Sequence, residues 1–507
     1  MRKQNSLKNI LTNILPYIVL TILGFLRLRV LLDKLGLEIY ALNQLFIQIF
    51  AYISLAEAGL GVLITQLYYK YFANNDKNKI NQIYTSSKKV LKNISLIMLI
   101  IGFIISFALK LFTKNTLSLI YMQIVFMLYL FRSIMEYLMF APRFVLTADQ
   151  KAYKINLGIN IYKIAEILIE IAILQIYQNY AIILISSIII RFFSYYTANK
   201  ITFKQYPWLQ TVNSNIKISG MRNVLYHKIS GTVFSNTDIL IISTFLSPLE
   251  VTIYSSYNYI IKFINDIVYM FASSITASMG NVIYKENINK QIDIFEKINS
   301  IFIFMAITFS IILYWSINSF VSLWIGADKI ISKSALIFMI FTLFIIVSAR
   351  PFLLIRDAKA LYKETKFIAI SEALINIILS LILIRFFGIT GVVFATAFAT
   401  LFTTNIFYPI FVYKKVFNIA YIKYFIKLIL SIILTIIICY LSHYINILNS
   451  VNNYLIWFFY SAIYAFFIIV LIFIIHYIFS KYFRTISNEF FKKIFFKLRG
   501  KNEKNNF

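Results

Sequence analysis

Few side chains in this 507-residue chain could do chemistry. It has one cysteine, Cys439, and three widely separated histidines, His227, His443 and His476. A single thiol forms no intramolecular disulfide, and neither residue type shows metal-ligand spacing. There is no glycine-rich phosphate loop, no nucleophile motif and no carboxylate pair in a polar segment. No catalytic residue, metal or cofactor is therefore expected. What remains is a set of ionisable residues inside long apolar runs. Each costs roughly 2.5–3.5 kcal/mol there, so each is expected to face a cavity or a partner.

Arg27 and Arg29 lie in the first apolar run. At 100° per residue Arg27 shares a helical face with Asn13, Tyr17 and Gly24, and Arg29 points almost the opposite way. Arg27 sits about 25 Å along the helix from Ile10. It is read as a cation aimed into a cavity, against the alternative of snorkelling to the outer surface. A second group is Asp238 with Lys262 and Asp266, read either as a cavity wall or as a neutralised triad holding two helices together. Asp238 and Lys262 match in depth if their helices are antiparallel neighbours, and Lys262 and Asp266 are four apart on one face. Glu57 shares a face with Asn43, Ser54 and Gly61 and is expected to line something. Arg132 and Glu136 are four apart; Arg132 and Glu166 match in depth; Lys163, Glu166 and Glu170 share a face; Arg350 and Glu372 match in depth. These are expected to be structural or cation-coupling pairs.

The elements that must hold these residues follow from composition. Sixty per cent of the chain is hydrophobic and 14% charged, against about 25% charged in an ordinary soluble domain. So much apolar surface cannot be buried inside a soluble fold of this length. The runs are too long and unbroken for a transmembrane β-barrel. The expected fold is an all-α polytopic membrane protein with about fourteen transmembrane helices, near 10–32, 40–69, 91–111, 116–140, 155–177, 180–199, 224–246, 251–284, 299–320, 335–356, 365–387, 390–412, 424–445 and 454–480. With the N-terminus cytoplasmic, inner segments hold 37 of the 49 basic residues and outer loops six. Both termini are therefore expected inside. The net charge of +29 is mostly this topology signal, and no nucleic-acid partner is expected. Residues 481–507 are expected to be a basic amphipathic cytoplasmic tail on anionic lipid, with Phe491, Ile494, Phe495 and Leu498 among Lys492, Lys493, Lys497 and Arg499.

Two halves overlay at a shift of 209–214 residues. Ile39-Tyr40 matches Ile253-Tyr254, Gln82-Ile83 matches Gln291-Ile292, Pro142 matches Pro351, and Tyr153-Lys154 matches Tyr362-Lys363. The expected organisation is a six-helix lobe over 1–200, a second over 201–413, and two extra helices over 414–480. Such parallel repeats rock around a central site in transporters.

The stretch Glu372–Thr396, with Asn376, Ser380, Gly388, Gly391, Ala395 and Thr396, is similar to the eleventh and twelfth spans of Wzx-type polysaccharide flippases, O-antigen and capsule repeat-unit translocases of the MOP superfamily. Leu55–Gly61 and Thr237–Tyr257 fit the same family, and the likeness covers about 8–480. At Leu246-Ser247-Pro248 the family instead has Leu-Gly, which alters the outer turn. The resemblance implies a flippase of the bacterial inner membrane. It would carry a lipid-diphosphate-linked oligosaccharide from the inner to the outer leaflet by alternating access, among membrane lipids and beside a polysaccharide polymerase and glycosyltransferases. Arg27, Arg29, Lys262, Asp238, Asp266 and Glu57 would then bind substrate, Arg27 holding the diphosphate through bidentate hydrogen bonds. The rival within transport is a cation-coupled drug or metabolite antiporter of MATE type. An ATP-driven pump lacks its phosphate loop, and a membrane glycosyltransferase lacks a large outer loop.

Overall fold

The computed structural model describes residues 2–57, 60–214, 216, 222–442, 444, 448 and 451–504; within these, the side chains of 2–11, 13–15, 56, 62, 222–225, 277, 284 and 493–504 are not described. Among the described residues every regular element is a helix. Fifteen α-helices follow one another there: α1 Arg2–Ile53, α2 Leu60–Ala73, α3 Lys77–Phe107, α4 Leu119–Ala148, α5 Tyr153–Ile176, α6 Tyr180–Gln205, α7 Arg222–Phe245, α8 Pro248–Lys285, α9 Ile288–Ile325, α10 Lys333–Ala358, α11 Tyr362–Phe402, α12 Thr404–Phe411, α13 Ile422–Ser442, α14 Tyr454–Phe479 and α15 Lys481–Lys504.

Two of these are each a pair of spans joined at a glycine. The first is α1, broken at Gly36 with φ 79° and ψ 177°, a backbone region essentially confined to glycine. The second is α11, broken at Gly388 with φ 54°. Three residues on, a Cβ at Gly391 would lie 2.4 Å from the Leu383 carbonyl oxygen. No side chain fits there, which explains the paired glycines of that stretch. The second limb of α1 continues through a 3-10 turn at Ser54–Glu57 into α2, and the second limb of α11 continues through α12. Counted this way, the described residues form fourteen membrane-length limbs plus α15. Nine runs among the described residues are long and apolar enough to cross a membrane by length and composition, from Lys77–Phe107 to Tyr454–Phe479. In α5, Lys163, Glu166 and Glu170 fall within two turns and dilute that character.

Packing divides the chain into two compact units, Met1–Ser255 and Ser256–Phe507. In the first, α1 packs on α5 and α7, and α4 packs on α2, α3 and α6, with α5 against α6. Its core holds Leu31, Tyr40, Phe46, Val125 and Phe126, all at most 1% exposed. In the second, α9 is the hub for α10, α13, α14 and α15, and α10 packs on α11 and α12. The opposite pattern marks the periphery. Ile104, Leu455 and Phe479 are exposed, as expected for helices whose outer solvent is hydrocarbon rather than water.

The ends of α4 and α10 close with the same turn. Where α4 ends, Gln150 takes φ 56°, and where α10 ends, Ala360 takes φ 53°. In the first turn Asp149, Gln150 and Lys151 donate to the carbonyls of Val145, Thr147 and Leu146; in the second Lys359, Ala360 and Leu361 donate to those of Ile355, Asp357 and Arg356. The end of α2 closes the same way, with Asn75 at φ 53° and Asn74, Asn75 and Asp76 donating to the carbonyls of Lys70, Phe72 and Tyr71, so this is a general helix-ending motif of the chain. Both helices carry their proline, Pro142 and Pro351, internally.

The expected tail is a helix, but its first half is docked. Phe483 is buried against Phe304 and His476, and Lys297 of α9 donates to Glu489 at 2.9 Å. Phe490 and Phe491 remain exposed. The side chains of Lys493, Ile494, Phe495, Lys497, Leu498 and Arg499 lie outside the described residues.

Candidate functional site

The first unit concentrates ionisable groups on three neighbouring helices and α1. Glu166 and Glu170 are one turn apart on α5 and both are buried. Glu170 accepts a hydrogen bond from Nε of Arg27 on α1. The Glu170 side chain is 4% exposed and that of Arg27 21%. Glu166 takes Nε of Arg191, on α6, at 2.9 and 3.1 Å through its two oxygens, with side chains 6% and 30% exposed. Each acid thus grips an arginine from a flanking helix by the same nitrogen. Glu166 also accepts from Ser187 Oγ at 2.5 Å.

The next layer is aromatic and amide. Tyr129 and Tyr180 both donate to Asn43 Oδ1 and lie close to the Arg27 guanidinium. The Arg132 guanidinium sits 4.2 Å from the Tyr129 ring centroid, and its Nη1 donates to Ser187 at 3.2 Å. Arg132 therefore reaches Glu166 through Ser187. The expected direct contacts of Arg132 with Glu136 and with Glu166 are replaced by a cation–π contact and this relay, because the ring and the hydroxyl lie nearer the fork. Lys163 is exposed and joins no ion pair among the described residues, with Arg191, Glu136 and Arg143 in electrostatic range.

Glu57 and Glu136 line one cavity of about 260 Å³ together with Ser54, Ser133, Tyr137 and Phe50. Glu57 thus lines a cavity, at the break between the second limb of α1 and α2. Discontinuous helices of this kind supply polar groups at membrane depth only where they face a cavity or protein. Arg29 is turned away from this region's acids and pairs with Asp33 at 3.6 Å on an exposed face.

Asp238, at the end of the first unit, is buried and accepts from the Tyr254 hydroxyl at 2.8 Å. Lys262 and Asp266 belong to the second unit. Lys262 is exposed and Asp266 half-buried. Arg350 and Glu372, expected as a pair, make no direct ion pair among the described residues but lie in electrostatic range of each other. Arg350 lies 5.5 Å from the Tyr269 ring centroid with Asp266 in electrostatic range, while Glu372 accepts from Thr404 Oγ1 at 2.8 Å. Similar depth was met by closer polar neighbours on adjoining helices.

Two participants, Arg191 and Arg143, escaped the sequence reading, and a third, Glu170, was read without its partner. Arg191 directly follows the apolar run Ile182–Ile190, so the signal that singles out Arg27 also marks it. Glu170 reads only as sharing a face with Glu166; its partner on α1 is a tertiary fact. Arg143 counts in sequence as an inner-loop charge, yet it lies within α4 and is 8% exposed. Its guanidinium sits 5.0 and 4.4 Å from the rings of Phe140 and Tyr195.

The fold defines a class, that of all-α polytopic membrane proteins. A lipid II flippase, MurJ in an inward closed conformation, superposes with a TM-score of 0.65 at 18% identity, over 92% of this chain and 99% of that one. A MATE-family multidrug resistance transporter of the MOP superfamily, inward-facing, gives 0.53 at 14% identity over 76% and 92%. The MATE multidrug transporter DinF-BH gives 0.56 at 15% over 82% and 97%. At these identities the likeness is one of fold. No family model and no curated protein sequence matches the chain.

Proposed function

We propose that this multi-pass membrane protein is a flippase, not an enzyme. It moves a lipid-diphosphate-linked oligosaccharide from the cytoplasmic to the outer leaflet of a bacterial inner membrane, for polysaccharide assembly beside a polymerase and glycosyltransferases. Lobes 1–200 and 201–413 would rock in alternating access. The observation that carries this reading is Arg27. It is a guanidinium set inside an apolar helix and held by a buried carboxylate, its side chain 21% exposed. A diphosphate carries about two negative charges, and an unpaired charge in hydrocarbon is expensive. A fixed fork that matches phosphate geometry offsets that cost better than a point charge does. The lipid II flippase among the fold's neighbours adds weight to a lipid-linked substrate.

Arg27→Ala is expected to abolish export of surface glycan at normal membrane abundance, Arg27→Lys to keep part of it, and Arg29→Ala to do less. Near-normal surface glycan from Arg27→Ala at wild-type protein level would sink the reading. The second reading, a cation-coupled MATE-type antiporter, draws on the cavity that Glu57 and Glu136 share. Ion-gradient-driven export of cationic drugs from liposomes, with no effect of diphosphate lipids, would favour it.

A further inference from the structure

One face of α3 changes character along its length. The helix carries five lysines and no acid. Lys88, Lys92, Leu96 and Leu99 recur at intervals of four, four and three, so they share one helical face. All four are exposed. Beside this face, between α3 and α4, lies a groove of about 410 Å³. Leu96, Leu99, Phe131 and Ile134 line it, and Lys92 and Asn93 stand at one end. Its floor is apolar. Leu130 is fully buried there, and the buried hydroxyl of Ser95 is spent on the Leu91 carbonyl at 2.9 Å. No carboxylate is among the lining residues; Glu136 of α4 lines the separate cavity that holds Glu57. Among the described residues Lys88, Lys89 and Lys92 join no ion pair.

The dimensions select the occupant. On α4 the groove runs from Met127 to Leu138, about 16 Å at 1.5 Å per residue. A hydrocarbon core is about 30 Å thick, so the groove covers one leaflet. A partner's transmembrane helix would need the whole thickness, whereas a lipid acyl chain needs half of it. A chain lying in the groove brings its headgroup beside Lys92, where α3 turns polar. Three lysines and no acid at that end of α3 suit an anionic headgroup, and each such lysine contributes about fivefold in affinity. On the expected topology this end faces the cytoplasmic leaflet, which carries the negative surface potential.

We propose that the α3–α4 groove binds one anionic phospholipid, its acyl chain packed along Leu96, Leu99 and Phe131 and its phosphate held by Lys92, with Lys88 one turn further toward the headgroup layer. This lipid is a resident of the first unit and not cargo. The inference therefore goes beyond the flippase reading and holds whatever the protein carries.

The test is native mass spectrometry of the full-length protein released from micelles containing phosphatidylglycerol and phosphatidylcholine with the same acyl chains. Wild type is expected to retain one phosphatidylglycerol, with a preference of about fivefold over phosphatidylcholine. Lys92→Gln should erase most of that preference, and Lys92→Arg should keep it. Leu99→Trp and Ile134→Phe fill the groove and should lower retention of both lipids at that site. Ile104→Phe, at an exposed position of the same helix outside the groove, and Lys423→Gln, at an exposed lysine of α13, should match wild type. Equal retention of the two lipids by wild type would overturn the proposal, as would a wild-type preference in Lys92→Gln or an equal loss in Lys423→Gln. Farnesyl diphosphate displacing the retained lipid from wild type, but not binding Leu99→Trp, would give the groove to the cargo's tail instead. A dimer present in wild type and lost in Leu99→Trp would give it to a second copy of the chain. Either result would also overturn the proposal, and neither bears on Arg27.

Discussion

At the scale of single residues, the distinction that matters is between charges locked to a neighbour and charges with a face to spare. Arg29 and Asp33 are both exposed, and a solvated pair of this kind contributes little. The pair of Arg27 with Glu170 joins α1 to α5 through a buried carboxylate and an arginine side chain that is 21% exposed, so it lies between a solvated pair and a fully buried one. Asp238 is a different case. It accepts from Tyr254, and an asparagine oxygen can accept the same bond. Where transport in liposomes depends on an ion gradient, Asp238→Asn and Asp266→Asn are expected to abolish that dependence while the protein inserts normally. Wild-type gradient dependence in both variants would make the acids structural.

Helices in this chain are interrupted where their sequence makes continuation costly. Gly388 and Gly391 show it best. The first adopts positive φ between the two limbs of α11, and the second leaves no room for a Cβ against Leu383. Gly391→Ala must push the limbs apart against backbone atoms, so it should lower the amount of folded protein several-fold, within the range expected when about 1–3 kcal/mol of overpacking is imposed. Detergent-solubilised yield and thermal unfolding would show it; unchanged values would mean that the limbs separate freely. Gly158, with open space around its Cβ position, is the control and should accept alanine. At the chain's other end α15 is anchored to α9 and α14 through Phe483 and Glu489, which ties the end of α14 to the hub of the second unit.

For the whole molecule, the sidedness of the basic residues makes a direct forecast. Reporter fusions after Lys79, Lys359 and Asn502 are expected to report cytoplasm, and fusions after Asp33, Asp328 and Asn449 the outer side. An outer signal at Asn502 would break the even number of spans and the orientation with it.

Much of this architecture was legible in the amino-acid sequence. Apolar runs of membrane length mark spans because hydrocarbon demands them, and the gaps between the expected spans 10–32 and 40–69 and between 365–387 and 390–412 hold Gly36 and Gly388, where the helices break. The residues that carry charge into the membrane were equally visible, Arg27 foremost, because hydrocarbon makes any ionisable residue conspicuous. What only the tertiary structure decided is which of them meet. Helical periodicity assigns a residue to a face and a depth, but several polar groups on different helices share each depth. Arg132 could have met Glu136 or Glu166 and instead stacks on Tyr129 and reaches Ser187. Arg350 and Glu372 match in depth, yet Glu372 takes Thr404. Glu166 and Glu170 present one ridge that any neighbouring helix could have covered. The packing of α1 and α6 on α5 gave each acid its own arginine, because a pairing is settled by which helices touch, and no property of α5 alone determines that.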